Sequence, residues 1–173
     1  MLRCVGVRKL RIGVVGPSEA PPELYSLAED VGRLIAQAGA ILICGGGTGV
    51  MEAASKGAKS AGGITVGILP GTNEREANQY VDIPIITGIG HGRNIINVWS
   101  SDAIIAIGGG YGTLSEIALA LRTNKPVIGL STWDFSIRGI RESTDYVQVR
   151  TAKEAIKAAL ELITLKRTMA EKN

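Results

Sequence analysis

Residues 104–117 read IIAIGGGYGTLSEI, an apolar run that breaks into a glycine loop and resumes as a helix start. Residues 41–54 read ILICGGGTGVMEAA, the same three-part pattern. Ile41 aligns with Ile104, Gly45 to Gly47 with Gly108 to Gly110, and Gly49 with Gly112. A short, continuous run of apolar residues without alternation is the habit of a strand buried on both faces. Strand, glycine loop and helix, in that order and twice over, point to a layered α/β sheet.

The rest of the chain extends the pattern. Further strands are expected at 11–15, 64–69, 83–86, 126–130 and 146–149, with the two runs above giving 41–44 and 103–107. Helices are expected between them. One starts at Pro21-Pro22, where proline suits a first turn, runs to about Gln37 and stops at Gly39. Glu29 and Arg33 are expected to pair on its exposed side. A second covers about 49–61, with Ala53, Ala54, Gly57, Ala58 and Ala61 as a small-residue face for close approach to a sheet. Others are expected at about 92–100, at about 113–123 and from Thr151, where Ala155, Ile156, Ala159, Leu160 and Ile163 form an apolar stripe. The fold class that follows is a Rossmann-like, doubly wound, mainly parallel sheet of about seven strands in three α/β/α layers. It is read as one domain over 1–173, with 1–10 and 167–173 expected to fray. Ligands of such sheets bind beyond the carboxyl ends of the strands.

Composition agrees and excludes alternatives. The chain has 173 residues, 45% hydrophobic, too apolar for disorder. Its 23 glycines are nearly twice the ordinary share of about 7%. The excess is local: four lie at 45–49, four at 108–112 and three at 88–92. The net charge of +3 is local too, since Arg3, Arg8, Lys9, Arg11, Lys166, Arg167 and Lys172 sit at the two ends and leave the middle acidic. No basic stripe with interleaved aromatics exists, so no nucleic-acid partner is expected. No apolar stretch reaches the length of a membrane span, and the N-terminus lacks the apolar segment of a signal peptide. Cys4 and Cys44 are too few for a disulfide framework, and Cys44, closing an apolar run, reads as a buried free thiol. A reduced, cytoplasmic protein is expected.

The doubled loop reads as an anion cradle. Glycine admits positive φ and lets a ligand reach the backbone, and the N–H groups that follow point outward at the positive end of a helix dipole. Gly45, Gly46, Gly47 and Thr48 of the first loop are candidate phosphate or nucleotide contacts. So are Gly109, Gly110, Tyr111, Gly112 and Thr113 of the second, with Ser18 after the first strand. The alternative is a pair of strand-to-helix turns that need glycine for packing. The dinucleotide fingerprint is absent, with Val50 and Thr113 where its third glycine belongs, and no G-K-[ST] follows either loop. A mononucleotide or another phosphomonoester fits better.

Where the first loop is followed by Ala53, the second is followed by Glu116. Glu116 is either a carboxylate available beside the phosphate or the last member of a capping box, Thr113-Leu114-Ser115-Glu116. Arg93 lies in Gly88-Ile89-Gly90-His91-Gly92-Arg93-Asn94 and either grips a phosphate, orients Glu116 or is a solvated helix-start arginine. His91 and Asn94 are candidate contacts in the same loop, though His91 serves equally as loop packing. A lone histidine without partner ligands implies no metal site. Trp99 reads as core or subunit interface.

Gly108-Gly109-Gly110-Tyr111-Gly112-Thr113-Leu114-Ser115-Glu116 resembles the P-G-G-x-G-T-x-x-E motif of the lonely-guy (LOG) family, long misnamed lysine decarboxylases. Arg93 falls where that family has its catalytic arginine, and Gly45-Gly46-Gly47 where it has its other glycine loop. The resemblance covers roughly 11–150. It implies a dimeric, Rossmann-like phosphoribohydrolase that splits AMP or cytokinin-type nucleotides into base and ribose 5-phosphate, with Glu116 acting at the anomeric carbon and Arg93 positioning Glu116 and the phosphate. Gly109, Gly110, Gly112 and Thr113 would hold that phosphate. The family's Pro is Gly108 here, and its Arg-Lys pair is Arg93-Asn94. With GILPGTN and GHGRN, these departures are similar to the branch that includes the molybdenum-cofactor carrier, which implies a binder without turnover as the alternative. No resident cofactor is implied; the ligand would be phosphate, AMP or the molybdenum cofactor, in a homodimer or higher homo-oligomer.

Overall fold

The computed structural model describes residues 8–134 and 145–170. Cys4, Arg3 and the last residues of the chain lie outside these. The seven strands β1 (Arg11–Val15), β2 (Ile41–Cys44), β3 (Thr65–Leu69), β4 (Ile83–Ile86), β5 (Ala103–Ile107), β6 (Val127–Leu130) and β7 (Tyr146–Val149) form one sheet in the order β4-β3-β2-β1-β5-β6-β7. Every pairing is parallel. Among the described residues the α-helices are α1 (Pro22–Gln37), α2 (Val50–Ser60), α3 (Asn94–Ser100), α4 (Tyr111–Arg122) and α5 (Ala152–Ala170).

Parallel strands need crossovers, and the helices of those crossovers cover the sheet faces. One face packs Ile12, Val14, Leu42, Ile105 and Ile128 against α1, α2 and α5 in the larger core. The other packs Val15, Ile104, Ala106 and Val127 against Val98 of α3 and Ile117 and Ala120 of α4. The strands β1, β5 and β6 are buried on both faces. The edge strand β4 is not: Ile83, Ile85 and Ile86 are 49%, 42% and 48% exposed. Pro84 suits that edge because its missing N–H faces no further strand.

Several boundaries move, for physical reasons. The small-residue face of α2 makes its closest approach to α1 rather than to the sheet. A Cβ on Gly57 would sit 1.8 Å from the Glu29 carbonyl, and one on Gly32 would sit 1.9 Å from that of Ala54. Each helix thus contributes one glycine to a backbone-to-backbone contact. Glu29 pairs with Lys56 across that contact at 3.0 Å, while Arg33 pairs with Asp30 at 2.8 Å, so the expected Glu29–Arg33 pair does not form. The helix expected at 92–100 is a 3-10 turn at Gly90–Arg93 followed by α3. Arg8 reaches Asp102 at 2.8 Å, Leu10 accepts the Ile41 N–H, and α5 continues to Ala170.

Candidate functional site

The strand order reverses between β1 and β5: the chain winds outward from β1 to β4, then returns to β5 on β1's other side. Loops that leave neighbouring strands in opposite directions open a crevice at their carboxyl ends. A cavity of about 310 Å³ lies there. Gly16, Pro17 and Ser18 line it from the end of β1, Gly45 from the end of β2, His91 and Arg93 from the turn before α3, and Asn94 from the first residue of α3. Gly110, Gly112, Thr113 and Glu116 line it from the start of α4. Of the sequence candidates, then, the structure brings together Ser18, Gly45, His91, Arg93, Asn94, Gly110, Gly112, Thr113 and Glu116. It does not bring Gly46, Gly47, Thr48, Gly109 or Tyr111 to the cavity wall.

The first loop is occupied with its own architecture. The Gly46 N–H donates to the Cys44 thiol at 3.3 Å, and the Gly46 and Gly47 carbonyls accept from the Asn78 amide at 3.1 and 2.8 Å. Thr48 Oγ1 donates to the Ser18 carbonyl at 2.8 Å. The Val50 N–H, at the start of α2, donates to the Pro17 carbonyl at 3.1 Å. Cys44 is a free thiol, fully buried, and that burial pushes its pKa up.

The second loop leaves its groups open. The first intrahelical bond of α4 is Leu114 N–H to the Gly110 carbonyl at 2.9 Å, so the N–H groups of Tyr111, Gly112 and Thr113 precede it. Added Cβ atoms on Gly110 and Gly112 would meet nothing within 4 Å. Tyr111 turns away, 86% exposed, and stacks on Trp133 with ring centroids 6.4 Å apart. Asn94 Nδ2 ties the opposite rim to this turn through Ser115 Oγ at 3.0 Å.

Arg93 and Glu116 both line the cavity, near enough for the arginine charge to act on the carboxyl. The Arg93 guanidinium lies against Gly45, where a Cβ would come within 2.0 Å of Nη1. Its Nε is buried with no hydrogen-bond partner. Glu116 is 6% exposed. Because α4 starts at Tyr111, Thr113 and Glu116 fall inside the helix and the expected capping box does not form. Glu116 Oε1 instead accepts from Asn97 Nδ2 of α3 at 2.8 Å. Burial pushes its pKa up to about 7, against the pull of the Asn97 bond and the Arg93 charge. The carboxyl is therefore poised to be charged or neutral near neutral pH.

Sequence reading missed Asn97 and Asn78. Asn97 follows Arg93 by four residues, one helical turn, and that spacing was the available signal; for Asn78 there was none. Trp99, read as core or interface, is 65% exposed and so is not core. Among the described residues no cluster of three or more His, Cys, Asp or Glu side chains is placed to hold a metal.

Residues 9–161 match the model of the SLOG cluster4 family. An uncharacterized protein of Archaeoglobus fulgidus is 52% identical over 124 residues, 72% of this chain and 82% of that protein. A cytokinin riboside 5′-monophosphate phosphoribohydrolase of Mycobacterium tuberculosis is 37% identical over 120 residues, and the match spans 64% of each chain. Among solved structures, the molybdenum cofactor binding protein of Rippkaea orientalis superposes with a TM-score of 0.85 at 44% identity, covering 91% of this chain and 99% of that one.

Proposed function

The chain belongs to the SLOG cluster4 family, and from that premise we propose that it binds a phosphorylated, nucleotide-like ligand in the β1–β5 crevice and cleaves it. The reaction is hydrolysis of the N-glycosidic bond of a nucleoside 5′-monophosphate such as AMP, giving free base and ribose 5-phosphate. The observation that carries this reading is Glu116: a carboxyl 6% exposed, pushed up to about 7, on the cavity wall beside Arg93. Breaking an N-glycosidic bond builds positive charge on the anomeric carbon and loads electrons onto the departing base. A carboxylate beside that carbon stabilises the developing charge. The same group, titrating near working pH, exchanges protons efficiently with the attacking water or the base. Water supplies the hydroxyl of ribose 5-phosphate and the proton of the released base. The open N–H groups of Gly112 and Thr113 at the start of α4 receive the phosphate, with Arg93 as its cation.

A second reading, binding without turnover, is favoured by the likeness to the Rippkaea orientalis protein, which covers 91% of this chain against 64% for the Mycobacterium enzyme. Asn94 and Gly108, where the lonely-guy motif has Lys and Pro, point the same way. Incubation with AMP separates the two. The proposal expects adenine and ribose 5-phosphate, lost in Glu116→Gln while AMP binding remains. Bound AMP that is never cleaved by the unaltered protein overturns the enzymatic reading in favour of the carrier.

Neither reading needs a resident cofactor: phosphate, AMP or the molybdenum cofactor is the ligand itself. A homodimer or larger homo-oligomer belongs to the proposal, since Trp99 and the exposed isoleucines of β4 are apolar surface that a second copy would cover. The proposed compartment is the cytoplasm. Among the described residues no helix is long and apolar enough to cross a membrane.

A further inference from the structure

Asn97 is 1% exposed, next in sequence to Val98 of the α3–α4 apolar cluster and in contact with buried Glu116 and Ser101. A side-chain amide is a poor choice there on packing grounds, because each polar atom removed from water needs a partner. Asn97 satisfies only half of that need. Nδ2 donates to Glu116 Oε1 at 2.8 Å, while Oδ1 has no partner. Leucine, of similar size, would fill the space without an orphaned acceptor. What leucine would not supply is a fixed donor to Oε1.

We propose that Asn97 is the positioning residue of this site, its amide clamping one oxygen of the Glu116 carboxyl so that the other is presented to the cavity beside Arg93. The proposal rests on the reading of Glu116 as the group that meets the ligand. Three features support it. Arg93 and Asn97 are one turn apart, so one short segment sets both groups that act on the carboxyl. Oε2, unlike Asn97 Oδ1 and Arg93 Nε, is not among the buried polar atoms left without a partner. The backbone of Asn97 is itself held, its carbonyl accepting from Ser101 Oγ at 2.8 Å. Among the described residues, the charged and titratable groups that act on the carboxyl or share its cavity are Arg93, the Cys44 thiol and His91.

The test reads the proton on Glu116 and needs no turnover. The full chain is labelled with carboxyl-13C glutamate, the Glu116 signal is assigned by its loss in Glu116→Gln, and its midpoint is followed by NMR. Because the amide favours the charged form, Asn97→Leu is expected to raise the midpoint by about one pH unit, a roughly tenfold gain in proton affinity. If the leucine variant does not fold, Asn97→Ser removes the same amide and should move the midpoint the same way. A midpoint within twofold in affinity of the unaltered protein, in either folded variant, overturns the proposal. Failure of the hydrolase reading looks different: AMP is not cleaved, yet the midpoint still moves.

Discussion

Gly49 and Gly112 occupy the same place in the two GGGxG loops, and only one of them is required by the fold. Gly49 has φ of +64°, and a Cβ there would press within 2.5 Å of the Pro17 carbonyl. Gly112 has open space where its Cβ would be and is not among the left-handed glycines. Gly108 is the exception in the second loop, with φ of +68° and Leu24 Cδ1 2.9 Å from an added Cβ, but the hydrogen bonds of the two loops follow the same contrast. The first spends its N–H and carbonyl groups on Cys44 and Asn78; the second spends few and turns its helix start toward the cavity. Identical spelling thus builds a packing turn in one place and an open cradle in the other. The first loop touches the cavity through Gly45 alone, where the missing side chain makes room for Arg93.

Four changes sharpen or break that contrast. The largest effect is on stability. The Glu116 carboxyl has its ordinary value of 4.5 when unfolded and about 7 when folded. The folded state therefore holds the proton more tightly, and stability from this group, full below the lower value, is lost as pH rises to the higher. Glu116→Gln cannot lose it. The unaltered protein should fall behind this variant by about 3 kcal/mol between pH 4.5 and pH 7, measured by denaturant unfolding across pH. A constant gap would show that the carboxyl is not desolvated.

Next is Gly45→Ala, whose Cβ would meet Arg93 Nη1 at 2.0 Å. The long side chain yields rather than the strand, so the fold survives while AMP cleavage drops about a hundredfold in steady-state assays. Unchanged turnover would remove Arg93 from the mechanism. Gly46→Ala should act the other way. With φ of +72° and Leu69 Cδ2 only 2.6 Å from the new Cβ, it should cost about 1–2 kcal/mol of stability by thermal melting and leave ligand affinity alone. Weakened binding would return the first loop to the cradle.

The fold was legible because it rests on local signals: buried strand runs, proline at α1's start and glycine at its end. The site was legible only as a neighbourhood. Among the described residues T-x-x-E occurs at 113–116 and at 151–154, and of these two only the second is a capping box, with Thr151 N–H bonded to Glu154 at 3.2 Å and Glu154 N–H bonded back to Thr151 at 3.2 Å. The difference is where each helix begins. At α5 the threonine stands just before the helix; at α4 the helix starts two residues before Thr113 and carries Glu116 to face α3. Tertiary contact decided that, through Asn97, from a distant part of the chain. Likewise Glu29 left its local partner for Lys56 because α1 and α2 meet at glycines.

The smallest predicted effect is also the most direct test of the open cradle. In the Glu116→Gln background, so that bound AMP is not consumed, calorimetric titration with AMP compares Gly112→Ala with Gly46→Ala. Alanine at 112 removes a helix glycine and should stabilise the fold by up to about 1 kcal/mol, while its methyl group obstructs the approach of the phosphate. The account predicts at least a tenfold weaker affinity for Gly112→Ala and an unchanged one for Gly46→Ala. Equal affinities at 112, or a loss at 46 alone, would contradict it.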